Sequence, residues 1–200
     1  MPLQNRVDPF GAIIRTPARG TLMGNRGGAL HNENREIVRS YKSRRWIACV
    51  LEFRGRHREI MSLRRYTELF FLDEAVAFAA GHRPCAECRR ERFNAFKRAW
   101  HRSDTGADEI DLALHAARIA DRRRERLHRL PNGAFVKLDG CPWLLWNRAL
   151  LLWSPEGYVG KITLPAERMF TVLTPRPIVD CFRRGYQPAI HASAHALLLK

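Results

Sequence analysis

No apolar run in this 200-residue chain is longer than six residues. The longest are 46–51 and 75–80, against the roughly 20 residues that a membrane-spanning helix requires. The N-terminus has polar and charged residues where an export signal would have its apolar core, so the expected location is the cytoplasm, with no membrane partner. Cysteine is scarce and odd in number, five in all, which excludes a fully paired disulfide framework and points to reduced thiols or metal ligands. Cys141 and Cys181 stand alone and read as small buried apolar residues. There is no internal repeat. Lysine is nearly missing too, since 30 of the 35 basic residues are arginine.

Against those 35 stand 20 acidic residues, for a formal net charge of +15. Guanidinium pairs bidentately with phosphate and stacks on bases, so an arginine surplus predicts a nucleic-acid partner held through phosphate. The surplus lies mostly in the first hundred residues, with 20 basic against 10 acidic.

The apolar fraction of 46% allows a sizeable core. The predicted fold class is α+β: an N-terminal module over 1–102 that includes an irregular arm, an arginine-rich linking helix over 103–130, and a small antiparallel β domain with a C-terminal helix and tail over 131–200. Residues 1–32 are rich in Gly, Pro, Asn and Arg and predict an irregular arm. Residues 46–53 have strand composition, and a turn at 54–57 predicts a hairpin with 59–61. Leu72, Ala75, Val76 and Ala79 follow helical spacing, with Asp73 and Glu74 in the first turn and Gly81 as a stop. Phe93, Phe96 and Trp100 predict a second helix. A third is predicted over 107–130, opened by Asp108, Glu109 and Asp111 and closed by an arginine cluster. Five short apolar runs at 134–138, 143–146, 149–153, 158–163 and 169–173, divided by turn residues, predict a meander. A short helix from Thr174-Pro175 to about Arg184 should follow, then an ordered extension and a loose end.

The densest chemistry is Gly81-His82-Arg83-Pro84-Cys85-Ala86-Glu87-Cys88, followed by Arg89 and Arg90. Two cysteines two residues apart at a helix start can both reach one tetrahedral metal ion. The stretch 69–89 resembles the second half of the metal-binding domain of the Ada adaptive-response DNA repair proteins. It shares Phe70, Phe71, Glu74, Ala75, Ala80, Gly81, Arg83, Pro84, Cys85 and Cys88 with that pattern, over about a tenth of the chain. The resemblance implies one Zn2+ site, with Cys49 as the counterpart of the first cysteine of the Ada domain's other pair. That pair's second cysteine has no counterpart, because Phe53 stands four residues on. Cys49, Cys85 and Cys88 would then be completed by His57, His31 or His82, with His57 closest to the expected hairpin. Exchanging a thiolate for neutral imidazole lowers the charge at the metal and the nucleophilicity of Cys49. That favours a retained zinc fold over alkyl acceptance from DNA.

Arg44, Arg45, Arg54, Arg56 and Arg58 around the hairpin, with Arg83, Arg89, Arg90 and Arg92 at the knuckle, form the expected phosphate-tracking face. Asp8, His31 and Asn32 could instead hold a divalent ion and activate water, as in a small metal-dependent nuclease. Trp143, Trp146, Trp153, Tyr158 and Phe170 read as core aromatics rather than a base-stacking platform. The leading expectation is a zinc-binding nucleic-acid-binding protein, DNA favoured, linked to repair or regulation. The alternatives are a nuclease or alkyl-accepting enzyme, and a ribosome- or protein-associated structural module.

Overall fold

The computed structural model describes residues 1–55, 59–102, 104–120 and 122–199, and the fold is α+β. The N-terminal segment is not an irregular arm: it contributes β1 Gln4–Val7, β2 Ile13–Arg15 and β3 Leu22–Asn25. These join β4 Ile47–Cys49, β5 Leu69–Phe71 and β6 Arg83–Pro84 in a six-stranded sheet of order β2-β1-β5-β3-β4-β6. Only β1 with β5 and β4 with β6 run parallel. Strands of three or four residues are too short to show alternation, and the glycines that suggest loops here admit close backbone approach. A Cβ on Gly24 would lie 2.2 Å from the Ile47 carbonyl oxygen. The expected hairpin between 46–53 and 59–61 does not form. Both edges of β4 are taken, by β3 and β6, so no edge remains for a third partner.

Helix α1, Glu74–Ala79, starts where expected. Asp73 caps it by accepting from the Val76 amide at 2.9 Å, and Gly81, at φ +83°, turns the chain out. Helix α2 spans Arg90–Ala99 and buries Phe93 and Phe96. Helix α3, Ala107–Ile119, is shorter than expected. The arginine-rich stretch beyond it becomes β7, Arg124–Arg126, and a 3-10 turn, Leu127–Arg129. Residues 122–126 offer no apolar helical stripe, whereas an extended chain can pair with a sheet edge and drop Leu127 into the core.

All five expected runs form strands, β8 Phe135–Leu138, β9 Cys141–Trp146, β10 Ala149–Ser154, β11 Gly157–Ile162 and β12 Met169–Val172; β8 to β11 make a meander, but β12 crosses back to pair with β8 instead of β11. The strands form an antiparallel sheet of order β11-β10-β9-β8-β12-β7. Its three tight hairpins turn at Asp139-Gly140, Asn147-Arg148 and Pro155-Glu156; in the first two both residues have positive φ, which suits two-residue loops between twisted strands. Helix α4 covers Arg176–Arg183. The ordered extension includes a helix, α5, Ala192–Leu198, which buries Ala194, and Ser193 Oγ accepts from the Tyr158 amide at 2.8 Å. Cys181 is buried, as expected, but Cys141 is exposed. Tyr158 and Phe170 are core residues. Among the described residues, no helix is long and apolar enough to cross a membrane.

All six residues of α1 are buried. One side joins a core drawn from both sheets, including Phe71, Phe135, Leu144, Leu151 and Tyr158. Phe78 packs into a second core with Phe96, Leu114, Ile178 and Phe182. Two adjacent carboxylates at the start of this helix are therefore buried and must find partners. Asp73 Oδ2 accepts from the Tyr158 hydroxyl and the His191 amide, both at 2.9 Å. Glu74 accepts from Arg89 at 2.7 Å, the Tyr186 hydroxyl at 2.8 Å and the Ala189 amide at 2.9 Å, and also from Arg92. Burial alone would raise the Glu74 pKa, but the Arg92 hydrogen bond and the charges of Arg89 and Arg92 outweigh it and hold the carboxyl below its ordinary value.

Removing one partner of a buried ion pair costs about 3–5 kcal/mol, so Glu74→Ala should lower unfolding stability at pH 7 by about that amount in urea titration. A lowered carboxyl pKa stabilises the fold above the unfolded value, near 4.3. The gap between wild type and Glu74→Ala should therefore persist at neutral pH and close as the pH falls through the folded-state value.

Candidate metal centre

The parallel register of β4 and β6 pairs Ala48 with Pro84, so the next residue on each strand, Cys49 and Cys85, emerges side by side. The Cys85 amide donates to the Ala48 carbonyl at 2.9 Å. After Cys85 the chain folds tightly enough for the Glu87 amide to donate to Cys85 Sγ at 3.4 Å. The Arg89 amide bonds the Cys85 carbonyl at 3.2 Å, and this turn leads into α2 with Cys88 on it. The three sulfurs lie within 4.8 Å of one another. A tetrahedral ion with metal–sulfur bonds of about 2.3 Å needs sulfurs about 3.8 Å apart, so small side-chain adjustments suffice.

The backbone also fits a bound cation. Cys85 Sγ receives amides from Cys88 and Glu87, and Cys88 Sγ receives the Val50 amide; such donors stabilise thiolates. Hydrogen bonding with Cys49 brings Cys85 down to about 5 and lowers Cys88, despite burial, while the same neighbours and then its own burial push Cys49 up. Three clustered thiols, two of them readily ionised, can hold a thiophilic metal ion.

Among the described residues, no fourth His, Cys, Asp or Glu joins the group. His57 lies outside the described residues. His31 is turned elsewhere: Nδ1 bonds Thr67 Oγ1 at 2.6 Å and Nε2 meets the Ser62 carbonyl at 3.3 Å. His82 is fully buried, with ring centroids 4.6 Å from Phe71 and 5.1 Å from Trp46. Burial, then the nearby Arg26 and Arg118, hold it well below the usual histidine pKa and neutral.

Each of the candidate nuclease residues has partners outside the set. Both nitrogens of His31 are engaged. Asn32 stitches its own turn, accepting from the Asn34 and Glu36 amides and donating to the Glu36 carboxylate. Asp8 accepts from the Ala12 amide at 2.9 Å.

The expected phosphate-binding arginines divide by burial. Arg44, Arg45, Arg54 and Arg90 are exposed. Arg83 is not available for phosphate: it is 3% exposed and its guanidinium grips Asp111 with two 2.8 Å bonds. Arg89 is likewise buried on Glu74, and Arg92 is half-exposed on the same carboxylate. The resemblance-bearing sequence therefore uses its arginines inward, which spacing could not reveal because the partners lie 15 to 28 residues away in the chain. Arg56 and Arg58 lie outside the described residues.

Sequence reading missed two features. The first is Trp46, stacked between Arg26 at 3.9 Å and Arg118 at 4.3 Å, which fixes the start of β4. Burial lowers the Arg26 pKa to about 9. The second is a cleft of about 440 Å³ beside the cysteines. Residues 50–53, just beyond β4, form part of its wall. A neighbouring polar cleft contains Arg44 and Arg45 and shares Asn25 and Tyr66 with it.

No protein-family model, curated protein or solved structure matches this chain.

One thiophilic metal ion should copurify per chain, and Cys88→Ala should lose it. Because thiolates bind with release of protons, metal occupancy should also fall as the pH is lowered. Elemental analysis of protein equilibrated across that range checks both outcomes.

Proposed function

We propose that this chain is a zinc-binding protein that holds nucleic acid, DNA foremost, through its phosphates. The carrying observation is where the charge lies. Among the described residues, three arginines are buried, Arg26, Arg83 and Arg89, against four buried carboxylates, Glu68, Asp73, Glu74 and Asp111. None of the formal +15 is thus absorbed by that interior, and the surplus faces solvent, nearly all of it as guanidinium. Such a surface attracts a polyanion and exchanges its counterions.

Zinc is the natural occupant of a three-thiolate set with no redox role. The resemblance of 69–89 to the Ada metal-binding segment supports both the metal and a link to DNA repair. Arg44 and Arg45 flank the cleft beside the cysteines, while Arg54 follows directly on its wall and Arg90 opens α2. Arg45 pairs with Asp108 at 3.1 Å, but with 62% of its side chain exposed; such a pair is weak and yields readily to phosphate.

Fluorescence anisotropy with duplex DNA should show affinity falling roughly 10³-fold or more between 50 and 200 mM salt if about six phosphates are engaged. The combined Arg44→Ala, Arg45→Ala, Arg54→Ala and Arg90→Ala variant should bind less tightly, with a salt slope shallower by about one for each phosphate no longer neutralised. Arg83→Ala should instead lose about 3–5 kcal/mol of stability by stranding buried Asp111. Salt-insensitive or absent binding to both DNA and RNA would refute the proposal.

A further inference from the structure

The cleft beside the cysteines has walls unlike the rest of the basic surface. Leu51, Phe53, Ile60 and Phe70 make it largely apolar, and two of these are unusually open for large aliphatic residues, Leu51 at 48% and Ile60 at 38% exposure. Asn25 places an amide on the same walls, and Glu52, Glu68 and Glu87 place carboxylates there. Asn25 Oδ1 accepts from the Gly27 amide at 3.1 Å, and Glu68 Oε2 accepts from the Met61 amide at 2.7 Å. The Asn25 NH2 supplies a donor, and the carboxylates supply acceptors, for the edge of a ligand. A concave apolar site of this volume with a few polar groups is built for a small flat ligand. The adjoining cleft, reached past Asn25 and Tyr66, presents Arg44 and Arg45 together with Asp108 and Asp111, which pair with Arg45.

An apolar side, an amide donor, carboxylate acceptors and, next to them, Arg44 with the ion-paired but exposed Arg45 match an unpaired nucleotide: a π-face to stack, an edge to bond and a phosphate to neutralise. We propose that this cleft receives one unpaired nucleobase, with its phosphate towards Arg44 and Arg45. The inference rests on the nucleic-acid reading above and narrows it to strands that carry a bulged, mismatched or single-stranded base. In the C-terminal sheet Tyr158 and Phe170 are closed in the core, and Trp143, Trp146 and Trp153 are half-buried against it.

The test compares two DNA probes of identical sequence and charge on the flanks. One is fully paired; the other carries a single bulged 2-aminopurine. The wild-type full chain should bind the bulged probe roughly ten-fold or more tightly, as base stacking predicts, with a change in 2-aminopurine fluorescence that saturates with binding. The Leu51→Ala, Ile60→Ala double variant changes only exposed side chains and leaves every charge in place, so it should lose that preference and bind the bulged probe as it binds the duplex. Equal wild-type affinity for the two probes would overturn the inference while leaving DNA binding standing. A preference that survives in the double variant, with the fluorescence change intact, would place the base elsewhere and overturn it as well. Failure to bind either probe would remove the nucleic-acid reading itself.

Discussion

Two neighbouring carboxylates inside the protein organise everything around them. Asp73 and Glu74 stand at the start of a helix that is only six residues long, too short to persist alone. Burying two such groups would cost several kcal/mol each without partners, and the local sequence supplies almost none. The helix N-terminus helps, through the exposed amides and dipole that favour negative charge there. The rest comes from afar: Arg89 and Arg92 after the cysteine turn, Tyr158 on β11, Tyr186 beyond α4, and the amides of Ala189 and His191 before α5. The helix is stable only when the sheet, the cysteine turn and the C-terminal segment are all in place, so the first sheet, the helices and the meander are tied at one point.

The metal centre inherits that constraint. Arg89 follows Cys88 directly, so the Glu74–Arg89 bond orients the turn that carries two of the three sulfurs. The third arrives on β4, whose start is clamped at Trp46 between two guanidiniums and whose register with β6 is set by backbone bonds. Three thiols separated by up to 39 residues in sequence, Cys49 to Cys88, are brought together before any ion binds. A metal bound there stabilises the folded chain because the unfolded chain offers no such cluster.

What could be read in advance follows the length scale of the signal. The meander strands, α1, α2 and α4 announce themselves by patterns contained within a few residues: apolar runs cut by Asp-Gly and Asn-Arg turns, helical spacing after Asp73, a proline before α4. The pairing of Cys85 and Cys88 belongs to the same class. Strands β1, β2 and β3 were illegible because a three-residue strand has no period, and Gly24 reads as a loop residue until β4 is known to press against it. The arginines mislead for a similar reason. Arg83 and Arg89 look like phosphate ligands beside a metal knuckle, but their carboxylates, Asp111 and Glu74, are identifiable only once helix α3 and helix α1 are packed. The stretch after Ile119 has a helix-compatible charge pattern yet no apolar face, and the open edge of β12 decides its conformation.

The division of arginine between inside and outside also explains why so basic a chain can fold. Unpaired guanidinium in a core is costly, and each buried one here has an anion, carbonyls or an aromatic face: Arg83 on Asp111, Arg89 on Glu74, and Arg26 on the Gly11 and Ser40 carbonyls and Trp46. The planar, weakly hydrated group tolerates these dry settings, where ammonium would lose more hydration and gain fewer directed bonds. The same property suits the outside, where a planar fork matches phosphate oxygens and stacks against bases. Arginine in place of lysine therefore suits the dry interior and would equally suit the phosphate contacts proposed for the surface. The residues after Cys49 link the cysteine cluster to the cleft: the strand that delivers a thiol to the cluster continues as a wall of the cleft, so a metal bound at the cluster would also set the shape of that wall.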